Sequence, residues 1–294
     1  LWEGIPDCDG LLAGISAEQL AEAHTRLLVL EVPAYESVYR SADGLLGGDI
    51  SAAVADLRLR SGLSPVGENP DHLAHELGLL AFLVGASSDA KRDGVSHAHI
   101  LELERSLLDE HLLRWLPAWV AALASAAEVP GVFLHVSRLM LDLVLLERQH
   151  LLGEPSRWEL PLRVEVLENP RAGLVDIAEH LALASQAGGY FPRSALVRIG
   201  RSLDIPAGFG SRADTLEGLF RNAAHYQLVP QLCAALEAEA AGWESYWAGV
   251  PPQVCGPWLM RISDTRALLR RVASRRRGRT GSAHPWVRAP LPRI

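Results

Sequence analysis

Hydrophobic residues recur at intervals of three and four along most of this chain, the spacing that places them on one face of an α-helix. In the first half of the chain this pattern predicts helices over residues 16–40, 49–61, 69–84, 97–116 and 131–152. Ser16 is expected to cap the first helix, and Pro33 to kink or break it. Pro117 is expected to kink or end the fourth helix.

Two details of these helices follow from the same pattern. The polar stretch 87–94 is predicted to be a loop. In the helix over residues 131–152, a strongly apolar set is predicted to face inward: Phe133, Val136, Met140, Leu143 and Val144.

The most informative helix start lies at Glu68-Asn69-Pro70-Asp71-His72. Asn69 is a good N-cap, and Pro70 suits the first helical position, where the missing N–H costs nothing. Asp71 would then lie in the first turn, near the positive end of the helix dipole. His72 and Glu76 are four residues apart and would share a face. An apolar stripe is predicted beside them: Leu73, Leu77, Leu80 and Val84.

The second half of the chain opens with a change of pattern. Residues 153–173 are punctuated by proline and glycine, and alternate as an extended surface segment does, which predicts a linker. Helical spacing resumes over 172–187, 192–203, 211–226 and 230–247. From about Arg266 the chain is rich in arginine and then in glycine and proline, and residues 263–294 are predicted to be a basic, disordered tail.

The net charge of −7 is unevenly distributed along the 294 residues. Residues 263–294 hold nine arginines and one aspartate, so the rest of the chain carries 34 of the 35 acidic residues. Such an acidic body is expected to attract basic peptides and to repel nucleic acid and anionic membranes. Ordinary solubility charge would explain the same imbalance.

Hydropathy and cysteine usage indicate a cytoplasmic protein. No apolar run reaches the roughly 18 residues that a membrane span needs. Cys8, Cys233 and Cys255 are far apart and form no CxxC, which argues against a disulfide framework or a structural zinc site.

Enzyme and metal-site signatures are weak. The single lysine, Lys91, does not follow a glycine, so the chain has no P-loop. A di-metal helical bundle needs two Glu-x-x-His motifs, and only Glu147–His150 fits. His72 and Glu76 could join these two residues in an α-helical metalloprotein or enzyme, which is the alternative function. We otherwise expect no catalytic activity, no metal and no cofactor.

The segment around Pro70-Asp71-His72 resembles the TorD/DmsD/NarJ family of chaperones that mature molybdenum-cofactor oxidoreductases. Family members carry Pro-Asp-His followed by Glu-Leu, here Glu76-Leu77. A tyrosine-rich helix precedes the motif, here Tyr35-Glu36-Ser37-Val38-Tyr39, and a helix with His and Trp-x-Pro follows it, here His111 to Trp119. The resemblance covers roughly residues 16–152.

The resemblance implies an all-α, TorD-like helical bundle over residues 1–152, with a linker at 153–173. Residues 174–262 then form an additional C-terminal helical region before the tail. It also implies a cytoplasmic chaperone that binds the apo form of a molybdopterin oxidoreductase, through its twin-arginine signal peptide or its body, and assists cofactor insertion and assembly. Its partners would be that catalytic subunit and the molybdenum-cofactor machinery. The client's identity and the choice between monomer and domain-swapped homodimer stay open.

The residues that the resemblance assigns to client binding are acids and aromatics of the quoted segments. Carboxylates would pair with the two guanidinium groups of the signal peptide, and aromatics would line an apolar groove. The set is Glu68, Pro70, Asp71, His72, Glu76, Tyr35, Tyr39, Trp115 and Trp119.

Each of these residues also has a purely structural interpretation. Asp71 and His72 would cap and cross-link helices, and Glu76 would pair with His72. Trp115 and Trp119 would lie in the core.

Overall fold

Helices make up the regular secondary structure of residues 14–274, the part of the chain that this computed structural model describes. This confirms the predicted all-α fold. Residues 1–13 of the predicted first domain, including Cys8, and the predicted tail beyond Ser274 lie outside the described residues. The chain divides into two compact units, residues 14–159 and 160–274 of the described part. The boundary falls inside the segment 153–173 that the sequence predicts as a linker.

The first unit contains seven α-helices, three of which continue into or out of a wider π-helical turn. In chain order they are α1 Ala17–His24, the π turn Thr25–Glu31, α2 Glu36–Arg40, α3 Gly48–Arg60, α4 Leu73–Arg92, α5 Ala98–Ser106, the π turn Leu107–Leu112, α6 Leu113–Ser125 and α7 Gly131–His150.

Local sequence explains where α1 begins. The Ser16 hydroxyl accepts a hydrogen bond from the Gln19 backbone N–H, and the Gln19 side chain accepts one from the Ser16 N–H. This reciprocal capping satisfies two backbone donors that the first turn leaves open. Ser16 therefore caps α1 as predicted, and the π turn that continues α1 ends at Glu31, before Pro33.

Helix α6 forms the centre of this unit. Its residues from Trp115 to Leu123 are all buried, and Trp115 is fully enclosed. Pro117 does not end the helix, because α6 continues to Ser125, and the other predicted outcome, a kink, stays a prediction. A helix this completely buried gains enough from packing to accept the hydrogen bond that proline removes.

The boundaries of α4 also differ from the prediction. Asn69 does not cap this helix: it begins at Leu73, and His72 is its N-cap. At the other end it continues to Arg92, so most of the predicted loop 87–94 is helical. Its buried side has Glu76 where the predicted stripe had Leu77, and consists of Leu73, Glu76, Leu79, Leu80 and Leu83.

Helix α7 is less buried than its composition suggests. Of the five residues predicted to face inward, Val144 is buried, whereas Val136 and Leu143 are 38% and 43% exposed. The side that packs inward instead carries Ser137, Leu141, Val144 and Arg148. Hydrophobic spacing alone assigned the wrong face, because this helix is apolar on more than one side.

A buried ion pair joins α7 to the π turn that precedes α6. The Asp109 carboxylate accepts from Arg148 Nε at 2.5 Å and from its NH2 group at 3.1 Å. The guanidinium also donates to the carbonyl of Gly153, and the Asp109 carboxylate accepts from the N–H of Ser156. The pair thus fixes the chain that leaves α7.

The second unit is a separate helical core. Its elements are the 3₁₀ turn Val166–Glu168, α8 Leu174–Ala182, α9 Ala184–Ala187, α10 Arg193–Ser202, α11 Arg212–His225, α12 Val229–Ala248 and α13 Pro252–Ser274. The indoles of Trp247 and Trp258 stack at 5.8 Å between α12 and α13. Gly188 lies against α13 at φ +78°, where a Cβ would be 2.2 Å from the backbone nitrogen of Ile262, so only glycine fits.

The predicted linker 153–173 contains the 3₁₀ turn Val166–Glu168. One prediction for this unit is wrong. Residues 263–274 are not a disordered tail but the last turns of α13. Arg266 and Arg270 from this helix pair with Glu237 of α12, so these basic residues stabilise the fold. No helix among residues 14–274 is long and apolar enough to cross a membrane.

Removing the charge of Asp109 should be costly, because it leaves the Arg148 guanidinium buried without its counter-ion. We expect Asp109→Asn to lower the free energy of unfolding in urea by about 3–5 kcal/mol. The exposed pair of Asp56 with Arg60 provides the control, and Asp56→Asn should cost about 0.5 kcal/mol or less. Equal losses in the two variants would contradict this role.

Candidate functional site

The Pro70-Asp71-His72 segment is held against the start of α2 by a short antiparallel bridge. The N–H of Glu36 donates to the carbonyl of Asp71 at 3.0 Å, and the N–H of Leu73 donates to the carbonyl of Ala34 at 2.9 Å. Tyr35 and His72 are the paired residues of this bridge. The two segments that carry the family resemblance are therefore in direct contact.

Asp71 caps α2 from across this bridge. Its Oδ2 accepts from the backbone N–H of Ser37 at 3.0 Å and from the Ser37 hydroxyl at 2.6 Å. The N-cap residue of α2, Tyr35, makes no capping bond of its own with its side chain. A five-residue helix gains little from its own backbone bonds, so this carboxylate, which is fully buried, stabilises its first turn.

Glu76 is also fully buried, and its Oε2 accepts a hydrogen bond from Trp115 Nε1 at 3.0 Å. Burial raises the pKa of Glu76 to about 8, although His111, Trp115 and Arg40 act in the opposite direction. Glu76 is therefore mostly protonated at neutral pH. A neutral acid can lie in the core beside Trp115 without a counter-ion.

A third buried acid, Glu36, has two partners, a guanidinium group and an imidazole ring. It pairs with Arg40 one turn further along α2, and its Oε2 lies 2.8 Å from His111 Nδ1. Burial lowers the pKa of His111 to about 4, so its ring is neutral and Nδ1–H donates to the carboxylate. Arg40 also donates to the carbonyl of Glu110 at 2.8 Å.

Sequence reasoning did not assign roles to Glu36, Arg40 and His111. The spacing of Glu36 and Arg40, four residues apart on a short helix, was a usable signal. His111 gave none, because its approach to Glu36 depends on the π turn Leu107–Leu112. On that turn Asp109 and His111 are both buried but contact different helices, α7 and α2.

His72 lies at the surface end of the motif. Its Nδ1 accepts from the N–H of Ala74 at 3.1 Å and so caps α4. Its ring is 4.8 Å from that of Tyr35 and 5.9 Å from that of His75. Burial and the neighbouring His75 lower the pKa of His72, which favours the neutral ring that this cap requires.

The structure separates the nine predicted client-binding residues by exposure. Glu68 is exposed, and Tyr35 and His72 are half-buried. The other six are buried: Pro70, Asp71, Glu76, Tyr39, Trp115 and Trp119. Trp119 Nε1 donates to the carbonyl of Val32, and the Tyr39 and Trp115 rings are 5.6 Å apart. The burial of Trp115 and Trp119 matches the structural interpretation. The predicted pairing of Glu76 with His72 is wrong, because the Glu76 carboxyl group bonds to Trp115. Direct client contact by the nine residues stays a prediction.

A family model described as nitrate reductase delta subunit matches residues 6–121. Over these residues the chain is similar to that family. This confirms the resemblance to the TorD/DmsD/NarJ group. No curated protein and no solved structure matches the chain.

The delta-subunit family consists of chaperones for molybdoenzyme assembly, and it is not a catalytic family. The match includes the whole motif network, from Tyr35 to Trp119, and ends within α6. Helix α7 and the second unit lie beyond it.

The geometry does not favour the alternative metal site. Glu76 is bonded to Trp115, and His72 Nδ1 is used in capping α4. Glu147 and His150 approach each other at 4.0 Å. Within residues 14–274, no group of three or more His, Cys, Asp or Glu side chains could hold a metal ion.

Replacing Asp71 tests its role as a cap. Asp71→Asn keeps the acceptor oxygen but removes its charge, and we expect a loss of about 1–3 kcal/mol in the free energy of unfolding. Asp43 offers a matched control, because its Oδ1 accepts from the N–H of Leu45 in an exposed turn. Asp43→Asn should change stability by less than about 0.5 kcal/mol, and a similar value for Asp71→Asn would exclude the cap.

The raised pKa of Glu76 makes the stability of the fold depend on pH in a definite direction. The folded state holds the proton up to about pH 8, whereas an unfolded chain releases it near its ordinary value of 4.5. Stability from Glu76 is therefore complete below that ordinary value and declines as pH rises to about 8.

Glu76→Gln mimics the protonated acid and should remove this decline. In urea unfolding from pH 5 to 9, the free energy of unfolding of the variant should rise relative to that of the wild type by several kcal/mol as pH rises. Glu68→Gln, at an exposed acid of the same segment, should keep the wild-type profile. Parallel profiles for wild type and Glu76→Gln would show that Glu76 is ionised in the fold.

Proposed function

We propose that this protein is a cytoplasmic chaperone that binds the apo form of a molybdopterin oxidoreductase and assists cofactor insertion and assembly. The observation that carries the proposal is the family match over residues 6–121, which contains the complete motif network. The client is recognised through its twin-arginine signal peptide, its body or both. The molybdenum-cofactor machinery is a further partner.

In this proposal the motif is mainly a framework. Asp71 and Glu76 are fully buried and already hydrogen-bonded, so neither presents a free carboxylate to an arginine of the client. Asp71 bonds to Ser37 of α2, and Glu76 of α4 bonds to Trp115 of α6, so the two acids link these helices. The surface above them carries Tyr35, His72 and the exposed Glu68, which are the predicted residues available for client contact.

Chaperone action of this kind depends on a difference in affinity. The protein must bind the unfinished client more tightly than the cofactor-loaded form, because otherwise it would not release the finished enzyme. The net charge of −7 favours a basic signal peptide, and this contribution weakens as salt screens it.

Calorimetric titration with a twin-arginine signal peptide tests the proposal. We expect saturable binding with a Kd near the micromolar range, about −8 kcal/mol, that weakens at high salt. A control peptide with both arginines changed to lysine should bind far more weakly, because lysine lacks the planar fork that pairs with carboxylates. Absent or equal binding of the two peptides would refute signal-peptide recognition.

Recognition of the client's body is tested separately. The apo catalytic subunit, with its signal peptide removed, should bind in the same titration, and the cofactor-loaded subunit should not. Equal affinity for the apo and loaded subunits would contradict a maturation role.

A further inference from the structure

The second unit contains a cavity of about 260 Å³ whose walls all belong to that unit. One wall is the segment of residues 163–167, another is His180 of α8, and the third is one side of α13. Val164 is 61% exposed, so the cavity is open to solvent. The α13 residues that line it are spaced three and four apart, as neighbours on one helix face are: Asp264, Ala267, Leu268 and Arg271.

His180 brings an unused polar group to this cavity. The residue is 7% exposed, and its enclosed Nδ1 has no hydrogen-bond partner among residues 14–274. The other ring nitrogen, Nε2, is neither enclosed nor hydrogen-bonded within the same residues. Burial, and then the charges of Arg261 and Arg163, lower the pKa of His180 to about 4, so the ring is neutral. Buried polar groups normally have a partner, and a molecule bound in the cavity would supply one to Nε2.

Arg271 brings a cation to the cavity. It lies in the last turn of α13 and forms no ion pair within the described part of the chain. The other arginine that lines the cavity, Arg163, is held by two acids that also line it, Glu165 and Asp264. Arg271 is therefore the partner that the cavity offers to an anion.

The anion that suits Arg271 is a carboxylate. A guanidinium pairs with a carboxylate through two parallel hydrogen bonds. Two helices bring residues of their last turns to the cavity, His180 from α8 and Arg271 from α13. The carboxyl ends of helices carry partial negative charge, which disfavours a dianion such as phosphate. A single carboxylate is thus the charge that the site accepts.

The rest of the wall suits an aromatic ring. An apolar cavity of about 150 Å³ holds benzene, so one of about 260 Å³ accommodates a ring with two small substituents. The wall offers such a ring a set of apolar side chains: Val164, Val166, Leu167, Ala267 and Leu268.

The two polar groups lie towards opposite ends of the cavity. Asp264 and Arg271 are about 10 Å apart along α13, because each residue adds about 1.5 Å. Arg261, one turn before Asp264, donates to the carbonyl of Ser185 at 2.9 Å. Ser185 follows His180 closely in the chain, so the end of α8 lies beside the Asp264 end of this face, away from Arg271.

The group that suits His180 is an uncharged hydroxyl. The carboxylates of Glu165 and Asp264, which line the cavity, would repel a second anion. A hydroxyl both donates and accepts, so it bonds to Nε2 in either tautomer of the neutral ring.

We propose that this cavity binds a small aromatic carboxylic acid with a hydroxyl group opposite its carboxylate. The carboxylate pairs with Arg271, the ring packs against Leu167 and Leu268, and the hydroxyl bonds to His180 Nε2. This inference goes beyond the proposed function and does not depend on it, because every residue of the site lies outside the segment 6–121 that the family model matches.

The test is calorimetric titration of the full chain with 4-hydroxybenzoate. We expect one saturable site with a Kd of about 0.1–1 mM, as is usual for a ligand of about ten non-hydrogen atoms. Two analogues of similar shape are the ligand controls. 4-Hydroxybenzamide, which lacks the charge, and benzoate, which lacks the hydroxyl, should each bind about fivefold more weakly.

Replacing Arg271 tests the carboxylate contact. Arg271→Gln should weaken binding of 4-hydroxybenzoate about fivefold and leave that of 4-hydroxybenzamide unchanged. Arg270→Gln is the matched control, because Arg270 pairs with Glu237 of α12 and does not line the cavity. It removes the same charge from the same turn and should leave the Kd within about twofold.

Replacing His180 tests the hydroxyl contact. His180→Phe keeps an aromatic ring but removes both nitrogens. In this variant 4-hydroxybenzoate and benzoate should bind equally, whereas the wild type should prefer 4-hydroxybenzoate about fivefold. A purely structural role of His180 would weaken the binding of both ligands and keep the preference.

Filling the cavity tests its location. Ala267 is exposed and leucine is also a good helix former, so Ala267→Leu should unfold at the wild-type temperature. The larger side chain should weaken binding at least about tenfold, because it occupies the space of the ring. Ala234→Leu, at an exposed alanine of α12 outside the cavity, should bind 4-hydroxybenzoate as the wild type does.

Four results would overturn this assignment. The first is no saturable binding of 4-hydroxybenzoate, and the second is equal binding of 4-hydroxybenzamide. The third is an equal loss of affinity in Arg270→Gln and Arg271→Gln, or a preference for the hydroxyl that survives in His180→Phe. The fourth is binding of wild-type strength in Ala267→Leu, which would place the ligand outside the cavity.

Discussion

The buried carboxylate of Asp71 is the interaction on which the first unit depends. It lies at the end of an isolated bridge, and it stabilises α2, a helix too short to form alone. The same backbone bridge sets the start of α4, because the Leu73 N–H is used by the Ala34 carbonyl. The Asp71 side chain and this backbone bridge together position two helices, and α4 carries Glu76 inward to Trp115 at the centre of α6.

Three acids lie fully buried in this region, and each avoids the cost of an isolated charge differently. Asp71 receives two hydrogen bonds from Ser37, and Glu36 has Arg40 and neutral His111. Glu76 avoids ionisation, since its pKa rises to about 8. Charges removed from water are tolerated only when paired, hydrogen-bonded or neutralised. Each of the three acids has its own way of avoiding an isolated charge, so they do not compete for one partner.

The sequence predicted the existence of most helices but not the features that tertiary contacts decide. Asn69-Pro70 is a good local helix start, yet α4 begins at Leu73. The reason is that His72 pairs with Tyr35 in the antiparallel bridge and so cannot be helical. The last helix, α13, was missed because Gly256-Pro257 and the arginines that follow are typical of a break and a tail. Its packing on α12 and the pairing of Arg266 with Glu237 override those local signals.

In the candidate site, too, the sequence pattern predicted the segments involved, whereas tertiary packing decided the contacts of their side chains. The motif indicated the resemblance that the family model confirms over residues 6–121. The resemblance also assigned these residues to client binding, but burial makes Asp71 and Glu76 poor direct ligands in this conformation. An arginine of the client would need an exposed acid, and among the predicted residues Glu68 is the acid that is exposed.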